Sequence, residues 1–281
     1  MSNILIIGCG DLGGTVAKLL SNKGHVVTGV RISNMPVSAE VNLIQADVTD
    51  FNSLERLEQI YPDILIYCVA ANAQTDESYR LHYVEGLRNV LKTQVKNSHL
   101  KHVFFVSSTR VYGQETDVLL DELTIALPSD FGGVRLLEGE HLLKGLNCSS
   151  TSIRLSGIYG PNRQYLVNMA KEPKRWASQH KWTNRIHRDD AAGFIHFLCE
   201  QVLSGKAIED CYIGVDDLPT LQYDVLTWIA STLNVEQPQI HFNENEKIAG
   251  KRLSNRRMRE SGFVLKYPNY QIGYSEMLKN V

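Results

Sequence analysis

The sequence predicts an α/β fold, a doubly wound parallel sheet with a smaller C-terminal lobe, and three observations lead to it. Strand-length apolar runs alternate with helical patterns through the first half of the 281 residues. The first run, Ile4-Leu5-Ile6-Ile7, passes directly into Gly8-Cys9-Gly10-Asp11-Leu12-Gly13 and then into a helical pattern. Beyond residue 155 the alternation gives way to turns, tryptophans and shorter pieces.

Taken in order, the first strand ends at a Gly-x-Gly-x-x-Gly turn. Leu12, Val16, Leu19 and Leu20 then fall on one helical face, which Gly24 terminates. Each glycine has its own physical role. Gly8 turns the chain off the strand, Gly10 admits a pyrophosphate against bare backbone, and Gly13 lets helix and sheet pack closely. The unpaired N–H groups of the helix N-terminus complete an anion site. Gly8, Gly10, Asp11, Leu12 and Gly13 are therefore the expected cofactor-binding turn of a Rossmann-type dinucleotide site.

His25–Val30 reads as the second strand, and Arg31 stands where a ribose-binding acid is expected. A carboxylate repels a 2′-phosphate and an arginine attracts one, so the expected cofactor is NADP ahead of NAD. The competing account of Arg31 is a solvent-exposed cation at a strand end. Leu43–Ala46 is a third strand followed by Asp47, and Asp50 and Asn52 offer caps for a helix through Leu54, Leu57 and Ile60. Ile64–Val69 reads as a buried strand, and at its end Val69, Ala70 and Ala71 let a cofactor lie against the sheet. A long helix through Tyr79, Val84, Leu87, Leu91 and Val95 follows, with His99 and His102 read as surface or strand-edge residues.

Val103–Val106 is the fifth strand and delivers Ser107 to Gly113 to the same sheet edge as the glycine turn. Pro128 precedes a helix from about Asp130 to Lys144, and Thr151–Leu155 is the sixth strand. Residues 1–155 thus form the expected nucleotide-binding domain. Residues 156–281 form the smaller substrate lobe, with segments such as 186–213 returning to the core. In that lobe a helix begins near Asp189-Asp190, and strand-like pieces near Tyr212 and Ile240 flank a helix carrying Val225, Ile229 and Leu233.

Bulk composition narrows the classes. The chain is 43% hydrophobic and 21% charged with a formal net charge of −2, which suits a globular protein and argues against a general nucleic-acid surface. No apolar run reaches bilayer length and no signal pattern opens the sequence, so the expectation is a cytoplasmic protein without a membrane partner. The five cysteines lack paired spacing, which fits reduced thiols and no metal site. Cys9 lies near a helix N-terminus that could lower its pKa, but a small residue filling a tight turn is the plainer account.

Together the glycine turn, Asp47, Ser107–Gly113, Arg154–Pro161, Ile186–Asp190 and Leu253–Asn255 leading to Gly262-Phe263 resemble the short-chain dehydrogenase/reductase superfamily. The similarity is to its extended branch of nucleotide-sugar epimerases and dehydratases, although that branch usually carries Gly-x-x-Gly-x-x-Gly, which marks an atypical subgroup. The resemblance implies a catalytic Ser/Thr at Ser108, a cofactor role for Asp47, and substrate contacts at Ser107, Ser108, Thr109, Arg110 and Tyr159. It also implies a homodimer and a nucleotide-sugar-like substrate.

The same resemblance implies a Tyr-x-x-x-Lys pair, and here Phe131 and Arg135 occupy those positions. Phenylalanine has no proton to exchange, and losing a general base typically costs about 10²–10⁴-fold in rate. Arg135 keeps a cation that could hold the nicotinamide ribose. Tyr112, Arg110 and His187 are candidate substitutes; their plainer accounts are packing, a phosphate or surface charge, and a hydrogen-bonded core histidine. The resulting expectation is an NAD(P)-binding oxidoreductase of epimerase/dehydratase type, against an alternative of a non-catalytic NADP(H)-binding sensor or interaction protein. In the C-terminal basic cluster, Ser254 is the expected N-cap and Gly262 the C′ residue of a short helix. Lys251 or Arg252 would meet a nucleotide diphosphate.

Overall fold

The computed structural model describes the chain except residues 34, 36, 37, 178, 241–246, 280 and 281. A seven-stranded sheet runs from edge to edge as Cys211–Gly214, Ser149–Leu155, His102–Ser108, Ile64–Tyr67, Asn3–Ile7, Val26–Arg31 and Val41–Gln45. The pairings on both sides of Asn3–Ile7, and the next pairing outward on each side, are parallel. Bonds from Ser152 N to Asp210 O and from Ser156 N to Gly214 O carry the parallel sense to the outermost strand. The order departs from the first strand in both directions, which is the doubly wound arrangement the sequence predicts. Ile4, Leu5, Ile6 and Ile7 are at most 1% exposed, as expected of a strand covered on both faces.

Two compact units divide the chain. The first comprises Met1–Gly113, Ala126–Arg154 and Ala192–Tyr212, and the second Gln114–Ile125, Leu155–Ala191 and Ile213–Val281.

Within the first unit several elements differ from expectation. The segment Phe51–Gln59 is a 3₁₀ helix, capped by Asp50 accepting from Asn52 N–H. The long helix runs from Asp76 to Thr93 with a widened π segment at Arg80–Glu85, so Val95 lies past its end and is exposed. Within this π segment the buried Tyr67 hydroxyl donates to the His82 carbonyl, and Gly86 N–H reaches back to Leu81 O. His102 is not a surface residue. It opens the fifth strand, is buried against Thr151 Oγ1 at 3.0 Å, and burial lowers its pKa to about 4.

The second unit holds a sheet in the order Thr220–Leu221, Lys181–Thr183, Ala249–Leu253 and Thr116–Leu120. The turn-rich segment after Leu155 contains a short strand, Gly157–Tyr159, parallel to Arg185–His187. Most of these strands escape sequence reading because they are two to five residues long and carry no clean alternation. The strand-like piece expected near Ile240 runs into residues 241–246, which lie outside the described residues; Ala249–Leu253 is the next strand described after the helix Gln222–Thr232. The short helix Arg256–Glu260 takes Asn255 as N-cap, one residue later than expected, while Ser254 Oγ accepts from Arg256 N–H.

Asp216 in this unit is 1% exposed; its Oδ1 accepts from Leu218 N–H at 3.1 Å, and its Oδ2 has no hydrogen-bond partner among the described residues. Burial raises its pKa to about 7, against the opposing pull of Arg185. The folded state therefore keeps a proton that the unfolded state releases above its ordinary carboxylate pKa. The stabilising contribution is full below that pKa and is lost as pH rises through about 7. Asp216→Asn, which stays neutral, should gain in melting temperature relative to the parent between about pH 5 and pH 8. A difference that stays constant across that range would contradict the assignment.

Candidate functional site

The glycine turn is built from the backbone outward. Gly8 N–H and Cys9 N–H both donate to Val30 O, at 2.9 and 2.8 Å, tying the turn to the carboxyl end of the second strand. Gly8 adopts φ +86°, and a side chain there would strike the Cys68 carbonyl; a Cβ at Gly13 would strike the Gly8 carbonyl. At Gly10 the situation is the reverse, since an added Cβ meets nothing within 4 Å. The helix Asp11–Asn22 starts immediately after, and its N-cap Gly10 makes no side-chain cap hydrogen bond. Bare backbone facing open space at a helix N-terminus fits a pyrophosphate.

The other predicted cofactor residues lie in the same unit. Arg31 ends the second strand and donates from Nη1 to Met35 O at 3.2 Å. Asp47 is half-buried, and its Oδ1 accepts from Thr49 N–H and Thr49 Oγ1, both at 2.8 Å. Cys68 and Val69 abut Gly8, so the turn and the Val69-Ala70-Ala71 segment meet. Cys9 is fully buried, and burial raises its pKa to about 11, leaving an inert thiol.

The Ser107–Arg110 segment separates into two environments. Ser107 is buried and donates to Glu140 Oε1 at 2.6 Å, and Thr109 is buried as well. Glu140 also receives Arg154 Nε at 3.0 Å and Nη2 at 2.6 Å, while Arg154 Nη1 donates to Tyr112 OH at 2.6 Å. Tyr112 is fully buried with the Arg154 guanidinium 5.0 Å from its ring centroid. This network pins two strands, a loop and a helix together. Ser108 is half-buried, and its Oγ accepts from Arg110 N–H at 3.2 Å.

Around Phe131 the sequence identifies the residue but not its neighbours. The Phe131 ring meets Tyr79 edge-on at 5.4 Å and lies 5.2 Å from the Arg110 guanidinium. Arg110 donates from Nε to Asp130 at 2.9 Å and from Nη1 to Tyr79 OH at 2.8 Å and Gln74 Oε1 at 3.1 Å. A Cβ at Gly132 would overlap the Arg110 guanidinium, so a larger residue there would displace that side chain. Arg135 donates to both oxygens of Asp76, at 2.8 and 2.9 Å, and to Glu138 at 2.9 Å. These bonds hold the Asp76 carboxyl below its usual range. Glu138, three residues on, could have been found as a helical pair; Asp76, 59 residues away, could not.

The remaining candidates belong to the second unit. Tyr159 is buried, stacked on Tyr274 at 4.5 Å, and burial raises its pKa far above the ordinary phenol value. Arg252 lies 4.9 Å from the Trp182 ring centroid. His187 is 2% exposed, packs on Tyr267 at 3.8 Å, and burial lowers its pKa to about 4. It is a neutral core histidine whose Nδ1 accepts from Asp189 N–H at 3.2 Å. Among the described residues no group of three or more His, Cys, Asp or Glu side chains is placed to hold a metal, and no helix is long and apolar enough to cross a membrane.

Comparisons with known proteins bear on this arrangement. Residues 4–214 match the model of the NAD dependent epimerase/dehydratase family. A solved structure from Methylobacillus flagellatus carrying the same epimerase/dehydratase description is 44% identical, with a TM-score of 0.89 over 99% of this chain and 98% of that one. Protein YeeZ of Escherichia coli K12 is 26% identical over 283 residues, 96% of this chain and 97% of YeeZ. The Bordetella bronchiseptica enzyme WbmG, solved in complex with NAD and UDP, shares the fold at 17% identity, with a TM-score of 0.79 over 98% of this chain and 92% of WbmG.

Proposed function

The chain belongs to the NAD dependent epimerase/dehydratase family, and on that premise we propose that it is an NADP(H)-binding oxidoreductase acting on a nucleotide-sugar-like or other hydroxyl- or carbonyl-bearing substrate. The observation that carries the reading is Gly10, whose missing side chain leaves open space in front of a helix N-terminus. Gly8 to Gly13 would hold the pyrophosphate, Asp47 and Val69–Ala71 the adenosine and the dinucleotide's edge, and Arg31 the 2′-phosphate. Bound nicotinamide supplies hydride transfer. Ser108, whose oxygen accepts from Arg110 N–H, keeps its own proton to donate to a substrate oxygen. UDP alongside NAD in WbmG supports a nucleotide substrate. A cytoplasmic setting and a homodimer belong to the same reading.

A second reading, a protein that binds NADP(H) without turnover, is favoured by Phe131, which cannot exchange a proton. Incubation with NADPH and a panel of nucleotide sugars and aldehydes, followed by absorbance, separates the two. Turnover that disappears in Ser108→Ala supports the enzyme; tight cofactor binding without turnover across the panel supports the second reading. Separately, Arg31→Asp should reverse the preference between NADPH and NADH, because the substitution replaces attraction to the 2′-phosphate by repulsion. Unchanged relative affinities would remove Arg31 from the 2′-phosphate.

A further inference from the structure

The groups that would grip the nicotinamide end of a dinucleotide are committed to other partners. Arg135, the cation at the family's lysine position, spends Nε and Nη2 on Asp76 and Nη1 on both oxygens of Glu138, at 3.0 and 2.9 Å. Two carboxylates thus surround one guanidinium, so its charge is already compensated before any ligand arrives. Phe131 has no hydrogen-bonding atom, and the neighbouring Arg110 is tied to Asp130, Tyr79 and Gln74. Tyr112 is buried with its hydroxyl on Arg154. The other end of the site is different: Gly10 faces open space, and Arg31 donates to a neutral backbone carbonyl at 3.2 Å and has no ion pair among the described residues.

We propose that the site grips only the adenosine-diphosphate half of its ligand, so that ADP-ribose and its 2′-phosphate are bound as tightly as NAD and NADP. The proposal rests on the dinucleotide reading and narrows it. Binding strength resides at the glycine turn, and the nicotinamide riboside contributes no charge-assisted contact. Ordinarily, removing a hydrogen bond to a charged group weakens a ligand by roughly tenfold or more.

Isothermal titration of the full chain with NAD⁺, ADP-ribose, NADP⁺ and 2′-phospho-ADP-ribose tests this. The dissociation constants within each pair should agree to within about threefold. Arg135→Met and Arg135→Lys should leave all four within the same margin; the lysine variant preserves the test if the methionine variant melts. A dinucleotide bound about tenfold or more tightly than its ADP-ribose counterpart, or weakened to that extent by either substitution, overturns the proposal and leaves the dinucleotide reading standing. Folded protein that binds none of the four ligands removes both.

Discussion

Glu140→Ala is expected to destabilise the protein by about 3–5 kcal/mol, the cost of leaving a buried guanidinium without its partner. Glu140 and Arg154 are each about nine-tenths buried, and their oxygens and nitrogens are 2.6 Å apart at the closest. Removing the carboxylate also strips Ser107 of its acceptor and leaves Arg154 bonded to the neutral Tyr112 hydroxyl. Replacing both charges together, as Glu140→Leu with Arg154→Met, should cost less than either change alone, since apolar packing then substitutes for the pair. Equilibrium unfolding in urea measures this; a loss below about 1 kcal/mol for Glu140→Ala would mean that the charge is solvated rather than buried.

Gly10→Val should weaken NADPH binding by roughly a hundredfold or more while the protein remains folded. The asymmetry among the three glycines makes this specific. A side chain at Gly8 or Gly13 collides with carbonyl groups of the protein itself, so substitutions there should lower the melting temperature. At Gly10 the Cβ enters open space, and what it displaces is the ligand. Fluorescence titration together with a thermal melt separates the two effects. Retained affinity in a folded Gly10→Val protein would give the turn another role.

The sheet was legible because its strands are continuous apolar runs separated by helical periodicity, and the glycine turn announces where the first of them ends. The second unit was less so. Thr116–Leu120 and Ala249–Leu253 pair across more than a hundred residues, and nothing local in either segment signals the other. The Phe131 and Arg135 substitutions follow from the family resemblance, yet the partners that decide their chemistry do not. Asp76 and Tyr79 reach them from a separate helix far back in the chain, a tertiary contact. His102, read as a surface or strand-edge residue, does open a strand but is buried, because the neighbouring strand supplies Thr151 as a partner that nothing local in the sequence signals.

Calorimetric titration of NADPH and NADH into the folded chain is the most direct measurement. Saturable binding of both, with NADPH the tighter, is the result that a phosphate-receiving glycine turn with Arg31 beside it requires. Absence of heat with either nucleotide, on material whose melt shows it to be folded, would contradict it.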